Sequence, residues 1–379
     1  MQVTHLFLIT GQSLATGRAP AMTVDPVAQE QALCFGGGPV GGQGQPLTAR
    51  LGPLRETGTE TIASGFAAQL LQTSSDPLIL AGQGWAGQPY AVLRKGGPSH
   101  VFEQLIAQAQ TAKTHVPDAQ FGAILVLHGE TDGAQGTADY DRILTQWHQD
   151  FASALADIFD TAEPMPMLIC QTSSISGYCS GDRRHFRTPQ MQFQAALTHP
   201  QLVLVGPKYQ YDYIDWAHID AASTRRHGAL FAKAYRRLAQ EGKDWHPLQP
   251  RRLTQMDSTV LIDFDVPVEP LCFDTEHVCD PGQYGFSLHD PHSHIIAVEP
   301  AGPSRIRLVL DRPAARSARV SYALYNGTPG LSGRLDGARG CLRDSDTERC
   351  ALDGWPLFNW SVAFDLPINW DHHDRDRSG

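Results

Sequence analysis

Short apolar runs alternate with amphipathic segments from the start of the chain to about residue 245. Each run is rich in Ile, Leu and Val, which is typical of strands buried on both faces. The runs predict strands at Val3 to Ile9, Pro77 to Ala81, Gly122 to Leu127, Met165 to Gln171 and Leu202 to Val205. Helical periodicity predicts helices at roughly Thr61 to Gln72, His100 to Thr114, Ala138 to Phe159, Thr188 to Leu197 and Ala221 to Gln240. This alternation predicts an α/β fold with a flavodoxin-like, doubly wound sheet of five parallel strands.

The pattern changes near residue 246. His246 to Arg252 carries two prolines and two arginines, which is typical of a linker, and helical periodicity stops there. Short alternating runs then predict strands at Thr259 to Phe264, Tyr284 to Leu288, His294 to Val298, Arg305 to Leu310, Arg319 to Leu324 and Trp360 to Phe364. We therefore expect two domains, an α/β domain over residues 1–245 and a smaller β-rich, sandwich-like accessory domain over residues 246–379.

Composition narrows the classes of function. The 379 residues include 41% apolar residues, as in an ordinary globular protein. The net charge is −10 and the basic residues are scattered, so nucleic acid is not expected as a partner. No apolar run is long enough to span a bilayer, so no membrane partner is expected either. No signal peptide is visible in the sequence. Location is therefore unknown: cytoplasmic by default, with a secreted or a virion-associated protein as the alternatives.

Cysteine and histidine usage leaves the redox state open and predicts no cofactor. Six of the seven cysteines fall into three pairs of near neighbours, which suits small disulfide loops, whereas the odd Cys34 suits free thiols. No cysteine spacing matches a zinc signature. His289 to His294 holds three histidines, but metal ligands must converge on one point and alternate residues after a proline turn need not do so. We expect neither a metal nor an organic cofactor.

Ser13 directly follows the first predicted strand. A strand, a glycine, a polar residue and a serine form the kind of sharp turn that presents a hydroxyl at the carboxyl edge of a parallel sheet. The alternative is that Ser13 is an ordinary N-cap residue in a strand-to-helix turn. A serine needs a base and an orienting acid to act as a nucleophile, so the choice depends on residues elsewhere in the chain.

Asp215 and His218 follow the last predicted strand of the sheet, at the same edge as Ser13. Their spacing in a loop lets the carboxylate reach one ring nitrogen while the other nitrogen faces Ser13. Taken singly, Asp215 suits a helix N-terminus and His218 suits a partly buried loop position. The occurrence of all three residues at one sheet edge predicts a Ser-His-Asp triad.

Two further strand ends offer donors for an oxyanion, which acyl transfer requires. Gly87 follows the second strand and can expose a backbone N–H, although a simple turn glycine is the alternative. His128, Gly129 and Glu130 follow the third strand, where the alternative is a capped strand-to-helix connection. We predict oxyanion or substrate contacts from these four residues. Glu130 also suits a role in holding loops or the triad.

Four ordered blocks of the sequence resemble those of SGNH hydrolases. They are Gly11-Gln12-Ser13, the Gly87 segment, His128-Gly129-Glu130-Thr131-Asp132 and Asp215-Trp216-Ala217-His218. The resemblance is to the carbohydrate esterase and sialate O-acetylesterase branch, with two departures. His128 stands where that branch frequently has glutamine, and Thr131 stands where other SGNH enzymes have asparagine.

The resemblance implies a catalytic domain over residues 1–245 that hydrolyses acyl esters. The implied substrate is an acetylated saccharide or another small acyl ester. The alternative is a carbohydrate-binding or phage or virion structural protein that has the same fold and little catalysis. The sequence leaves the oligomeric state open.

Overall fold

A mostly parallel sheet forms the centre of the protein, for which the computed structural model describes residues 2–17, 29–42 and 48–372. Its strands are β1 His5–Gly11, β2 Gln29–Gly36, β3 Gly41–Gly42, β4 Thr48–Leu54, β5 Leu78–Gly84, β6 Gln120–Leu127, β7 Met167–Cys170 and β8 Leu202–Gly206. They lie in the order β4-β2-β5-β1-β6-β7-β8, with β3 beside β5. The five predicted strands are β1, β5, β6, β7 and β8. Their order is that of a flavodoxin-like sheet, so the predicted α/β fold is confirmed.

Helices cover both faces of this sheet. They are α1 Ser13–Thr16, α2 Ile62–Leu70, α3 Tyr90–Leu93, α4 Val101–His115, α5 Glu130–Gln135, α6 Tyr140–Phe159, α7 Ile175–Tyr178, α8 Thr188–Thr198 and α9 Ala221–Tyr235. Leu6 and Leu8 of β1 pack with α4, α6 and α8, whereas Phe7 and Ile9 pack with α2 and α9. Alternate side chains of a strand point to opposite faces, so a continuous apolar run is what this central strand needs. Within the described ranges, no helix is both long and apolar enough to cross a membrane.

The outer part of the sheet was not predicted. β2 extends the sheet beyond β5, and β4 runs antiparallel to β2 at the edge. The sequence of β4 holds an arginine, a glycine and a proline and is largely exposed, so it lacks the apolar run of a buried strand.

The C-terminal part consists of antiparallel strands. They are β9 Gln249–Met256, β10 Thr259–Asp265, β11 Cys272–Phe273, β12 Phe286–His289, β13 Ile295–Pro300, β14 Arg305–Leu310, β15 Arg319–Tyr322, β16 Leu342–Arg343 and β17 Phe364–Pro367. They form sheets in the orders β13-β14-β10-β9, β11-β16 and β12-β15-β17. In β10 the buried residues Val260, Ile262 and Phe264 alternate with partly exposed ones, which is the period that predicted this strand. The β-rich C-terminal part is confirmed.

Two predictions in this part need correction. Most of the segment predicted as a linker, residues 246–252, is ordered: Leu248 is buried and β9 begins at Gln249. The strand predicted at residues 360–364 instead begins at Phe364, because the residues before it bond to other partners. The N–H of Val362 donates to the Leu248 carbonyl at 2.9 Å, for example.

The C-terminal part packs directly against the parallel sheet. The Tyr209 hydroxyl donates to the Ser361 carbonyl at 2.7 Å, and both are buried. The side-chain amide of Gln171 makes two hydrogen bonds with the backbone of Ala363, at 2.8 and 2.7 Å. Buried polar contacts of this kind fix the orientation of the two parts. We propose that the domain boundary lies near residue 245, with one hydrophobic core continuing across it.

Glu56 is a buried acid beside the N-terminus of α2. Its carboxylate accepts hydrogen bonds from the hydroxyls of Thr61 and Ser64, each at 2.7 Å. Burial raises the pKa of Glu56 to about 7 although these hydrogen bonds lower it. Its ionised form is therefore disfavoured in the folded state relative to the unfolded chain, where the pKa of glutamate is about 4.3.

Replacing Glu56 with glutamine is expected to stabilise the protein at alkaline pH. An acid with a raised pKa loses stability as pH rises from its unfolded towards its folded pKa, and glutamine cannot ionise. The advantage of Glu56→Gln in unfolding free energy should therefore grow by about 2 to 3 kcal/mol between pH 5 and pH 8. Urea unfolding at the two pH values measures this difference. The exposed Glu163→Gln is the control, and an equal pH dependence for both variants would contradict the argument.

Candidate active site

Ser13 lies at the carboxyl end of β1, at the first position of α1. The chain turns at Gly11, which has a φ of +140°, and a Cβ at that position would lie 2.0 Å from the Leu127 carbonyl oxygen. Only glycine therefore permits this close passage of β1 beside β6. The N–H of Gln12 then donates to the same carbonyl at 3.1 Å. These contacts fix the turn that presents the Ser13 side chain.

The loop after β8 brings Asp215 and His218 to this serine. The Nε2 atom of His218 lies 2.8 Å from the Ser13 hydroxyl oxygen, and its Nδ1 atom lies 2.8 Å from Asp215 Oδ2. A carboxylate only accepts hydrogen bonds, so Nδ1 carries the proton and Nε2 is free to accept one from the hydroxyl. The structure thus brings together all three residues of the predicted triad.

The Asp215 carboxylate is held by its own loop. Its Oδ1 atom accepts the backbone N–H groups of Ala217 and His218, each at 2.7 Å. Partial burial would raise the pKa of Asp215. The Ala217 N–H, the His218 ring and the His218 N–H together outweigh burial and hold this pKa below its usual value. Asp215 is therefore ionised at neutral pH and orients the ring of His218.

Gly87 lies in an exposed turn after β5, beside the Ser13 turn. The Trp85 N–H donates to the Gly11 carbonyl at 3.1 Å, which joins the two turns. Gly87 has a φ of +71°, and no atom of the described residues, apart from Gly87 and its two chain neighbours, lies within 4 Å of the position of a Cβ there. There is thus open space beside Gly87, on the exposed side of the turn.

His128 lies beneath the Gly87 turn and is not exposed at its surface. Its ring is buried, with Nε2 at 3.1 Å from the Gln88 carbonyl and Nδ1 at 2.7 Å from the Tyr140 hydroxyl. Burial lowers the pKa of His128, although Asp132 and Glu130 act in the opposite direction. A neutral ring that donates from Nε2 to a carbonyl accepts the tyrosine hydroxyl at Nδ1. Both nitrogens are thus occupied, so the expected direct oxyanion contact from His128 does not fit this geometry.

Gly129 and Glu130 also lie beneath the site. Gly129 precedes α5 with a φ of +129°, and the Thr172 and Gln192 side chains occupy the space that a Cβ would need. Glu130 is fully buried, with Oε1 at 2.5 Å from the ammonium nitrogen of Lys208. The expected substrate contact from Glu130 does not fit this burial, whereas its expected role in holding loops does.

Lys208 was not predicted as a site residue. It follows β8 and is as fully buried as Glu130. Burial would raise the pKa of Glu130, but the charge and the hydrogen bond of Lys208 hold it below its usual value. For Lys208, burial acts to lower the pKa, and the neighbouring Cys170 and Glu130 raise it above its usual value. Both groups are therefore ionised at neutral pH, and the pair ties α5 to the loop that leads to the triad.

Roles for Gln12 and Tyr178 were not predicted either, whereas Trp216 was expected among the aromatic residues on loops at the edge of the site. The side-chain oxygen of Gln12 accepts the Thr131 N–H at 3.3 Å, and the Tyr178 hydroxyl hydrogen-bonds to the same side chain. The Tyr178 ring packs against Trp216, with ring centroids 4.4 Å apart. Trp216 is 45% exposed although it lies between Asp215 and His218 in sequence. It therefore offers an aromatic face beside the triad.

A C-terminal segment, residues 331–337, supports the loop that carries Asp215 and His218. We call it the strap. Its Ser332 hydroxyl donates to the Trp216 carbonyl at 2.6 Å. The Nε atom of Arg334 donates to Asp212 Oδ1 at 2.6 Å, and the Arg334 N–H donates to the Tyr211 carbonyl at 3.2 Å. The C-terminal part thus contacts the loop that carries Asp215 and His218 on both sides of Asp215.

Replacing Arg334 with alanine is expected to lower kcat for the reaction of the predicted triad by about 10-fold, because small misplacements of a catalytic group cost up to about 10²-fold in rate. Arg334 is a positioning residue, so KM should change less than kcat, and Arg334→Lys should recover part of the loss. The matched control is Arg305→Ala, which removes an exposed ion pair with Asp263 on β14 and β10. Equal kcat for Arg334→Ala and Arg305→Ala would contradict the positioning role, and a larger thermal shift for Arg334→Ala at equal kcat would show that the strap has only a structural role.

The cysteines and histidines show no metal site in the described part of the chain. Within it, no three His, Cys, Asp or Glu side chains converge as metal ligands. All seven cysteines have free thiols in the structure. In the predicted histidine cluster, the Nε2 atom of His289 lies 2.8 Å from the Ser321 hydroxyl, and Asp290 accepts backbone N–H groups of its own turn.

Sequence and structure comparisons bear on this site. The sequence model of a family described as "Carbohydrate esterase, sialic acid-specific acetylesterase" matches residues 3–237, which include all three triad positions. No curated protein matches the sequence. The structure is similar to that of XAC1771, a carbohydrate acetylesterase from Xanthomonas citri, with a TM-score of 0.60 and 15% identity over 95% of this chain and 80% of that one. For NanS the TM-score is 0.50 with 13% identity, over 63% of this chain and 98% of that one. At these identities the two structures show a shared fold.

Proposed function

Because this chain belongs to the carbohydrate esterase family of sialic acid-specific acetylesterases, we propose that it removes O-acetyl groups from a saccharide with Ser13, His218 and Asp215. Membership of that family makes it a carboxylic ester hydrolase that acts on carbohydrates. The observation that carries the finer proposal is the continuous hydrogen-bonded series from Ser13 through His218 to Asp215.

In the proposed reaction, His218 Nε2 takes the proton from the Ser13 hydroxyl as its oxygen attacks the ester carbonyl carbon. The tetrahedral intermediate collapses, and His218 gives this proton to the departing saccharide oxygen. Water then attacks the acetyl-serine with His218 again acting as base, which releases acetate and restores the serine. Asp215 stabilises the imidazolium in both steps.

The oxyanion of the intermediate needs donors, and we assign two backbone groups. The Ser13 N–H is in the first turn of α1, where N–H groups lack a partner within their own helix. The Gly87 N–H lies in the open turn beside it. His128 acts indirectly: its ring bonds to the Gln88 carbonyl and so stabilises the conformation of the Gly87 turn. Loss of one such donor typically costs about 10²- to 10³-fold in rate.

We assign substrate contact to the exposed Trp216 and support of the site to Gly129 and Glu130. A sugar ring presents apolar C–H groups that stack on an aromatic face. Trp216 is held at its back by Tyr178 and at its carbonyl by Ser332, so its ring needs little ordering on binding. In this proposal the saccharide, which is the leaving group of the ester, binds on the Trp216 side of the triad.

The test combines substrate and nucleophile. Acetate release is measured from O-acetylated sialic acid, from other acetylated sugars and from 4-nitrophenyl esters of increasing acyl length. A phosphonate ester that reacts with activated serines then labels the protein, and peptide mass spectrometry locates the label. We expect acetate release with preference for the acetyl group, and a label on Ser13. Sugar binding without ester turnover, and no label on Ser13, would favour the carbohydrate-binding alternative.

A further inference from the structure

A cleft away from the triad lies between α8 and the sheet β12-β15-β17, with a volume of about 840 Å³. This volume lies within the range of about 300 to 1,000 Å³ that is usual for ligand sites. None of the triad residues lines it. α5 separates it from the Ser13 turn: the Thr131 N–H of α5 bonds to Gln12, whereas Gly133 of α5 packs against Thr188 at the start of α8.

The cleft holds an excess of positive charge in a protein whose net charge is −10. Arg184 and Arg187 line it and are exposed. Within the described ranges, neither guanidinium contacts an acidic side chain. The third arginine, Arg319, is neutralised by Asp365, with Nε at 2.7 Å from Oδ1. Asp141 is the remaining acid in the wall. Two guanidinium groups at one cleft with no acidic partner among the described residues favour an anionic ligand.

The remaining lining is ordered and mixes hydrogen-bonding groups with aromatic rings. The Tyr325 hydroxyl donates to Asp365 Oδ2 at 3.0 Å and accepts the Gln190 side-chain amide at 3.2 Å. The Tyr325 ring is partly exposed in the wall, whereas Phe364 is fully buried behind it and Trp370 is 8% exposed. Fixed polar groups beside aromatic faces are what saccharides bind to, because a sugar ring has hydroxyls at its edge and C–H groups on its faces.

We propose that this cleft is a second saccharide site that binds a carboxylate-bearing sugar unit through Arg184 and Arg187. A planar guanidinium pairs with a carboxylate through two parallel hydrogen bonds, so the two arginines select an acidic sugar over a neutral one. The partly exposed Tyr325 ring packs against the sugar ring. The choice of a saccharide rests on the proposed function, whereas the choice of an anion rests on the cleft alone.

Calorimetric titration of the full-length protein tests this site. The probes are two acidic saccharides, trigalacturonic acid and sialyllactose, each compared with its neutral counterpart, galactotriose and lactose. We expect at least one acidic probe to bind more tightly than its neutral counterpart, with an affinity that falls as salt is added. Arg184→Ala combined with Arg187→Ala should weaken that binding by about 10-fold or more, since hydrogen bonds to charged groups are the strong ones.

Three controls separate this site from the catalytic one. Arg50→Ala removes an exposed arginine on β4, away from the cleft, and should leave binding unchanged. Ser13→Ala should abolish 4-nitrophenyl acetate hydrolysis and keep saccharide binding. The double arginine variant should keep 4-nitrophenyl acetate hydrolysis and weaken saccharide binding. Lysine at both positions should retain part of the affinity. Equal binding by the wild type and the double arginine variant, or no preference for either acidic probe, would overturn the proposal. Loss of ester turnover alone has no bearing on it.

Discussion

Replacing Ser13 or His218 with alanine is expected to lower kcat for 4-nitrophenyl acetate by about 10⁴- to 10⁶-fold. The reason is geometric: His218 Nε2 is 2.8 Å from the Ser13 hydroxyl, so in the proposed mechanism each residue works only through the other. The double variant should therefore be no slower than either single variant. Steady-state turnover of all three proteins, with active-site titration of the wild type, measures this non-additivity.

Two comparisons sharpen this prediction. Asp215→Ala should retain more activity than Ser13→Ala, because the ring of His218 keeps its contact with the serine when the orienting acid is lost. Ser75→Ala, which changes an exposed serine far along the chain from the site, should match the wild type. Turnover by Ser13→Ala at the rate of Ser75→Ala would rule out Ser13 as the nucleophile.

The parts of the fold that the sequence predicted are those with a local pattern. β1 and β6 are continuous apolar runs because helices cover both faces of them. β9 was mistaken for a linker because only Pro250 and Leu253 are buried in it, and the arginines between them are exposed. β4 was missed for the same physical reason, since an edge strand does not need the apolar run that marks a buried one.

In the candidate site, too, the residues marked by a local sequence pattern were predicted and those that depend on distant contacts were not. Ser13, Asp215 and His218 were predicted because each follows a strand of the parallel sheet, and strand order brings those ends together. Lys208 also follows a strand, but no local pattern marks a lysine as the partner of a glutamate 78 positions earlier. The contact of Arg334 with Asp212 spans 122 positions and joins two differently patterned parts of the chain. Such contacts depend on tertiary packing, which short motifs do not encode.

Replacing Lys208 with methionine is expected to destabilise the folded protein by about 3 to 5 kcal/mol at pH 7. Lys208 and Glu130 are both fully buried, so the variant leaves a carboxylate in the core without its partner. The second oxygen of Glu130 has no hydrogen-bond partner among the described residues, so the carboxylate depends mainly on the ammonium of Lys208. Urea unfolding of the purified protein at pH 7 measures this loss.

The pH dependence distinguishes loss of a charge partner from simple loss of packing. With Lys208 present, the pKa of Glu130 lies below its usual value, so the pair stabilises the folded state above about pH 4 to 5. Without Lys208, burial raises the pKa of Glu130 above its value in the unfolded chain. The folded protein then loses stability as pH rises from the unfolded pKa towards this raised folded pKa. The difference between Lys208→Met and the wild type should therefore be larger at pH 8 than at pH 5.

Glu130→Gln combined with Lys208→Met provides the matched control, since it removes both charges and keeps the side-chain volumes. It should recover much of the lost stability, because a buried pair costs more when one charge is left alone than when both are absent. The difference in unfolding free energy between this double variant and the wild type should also be nearly the same at pH 5 and pH 8, whereas the difference for Lys208→Met grows. If the double variant is as unstable as Lys208→Met at both pH values, packing around the lysine chain, and not the unpaired carboxylate, is the source of the loss.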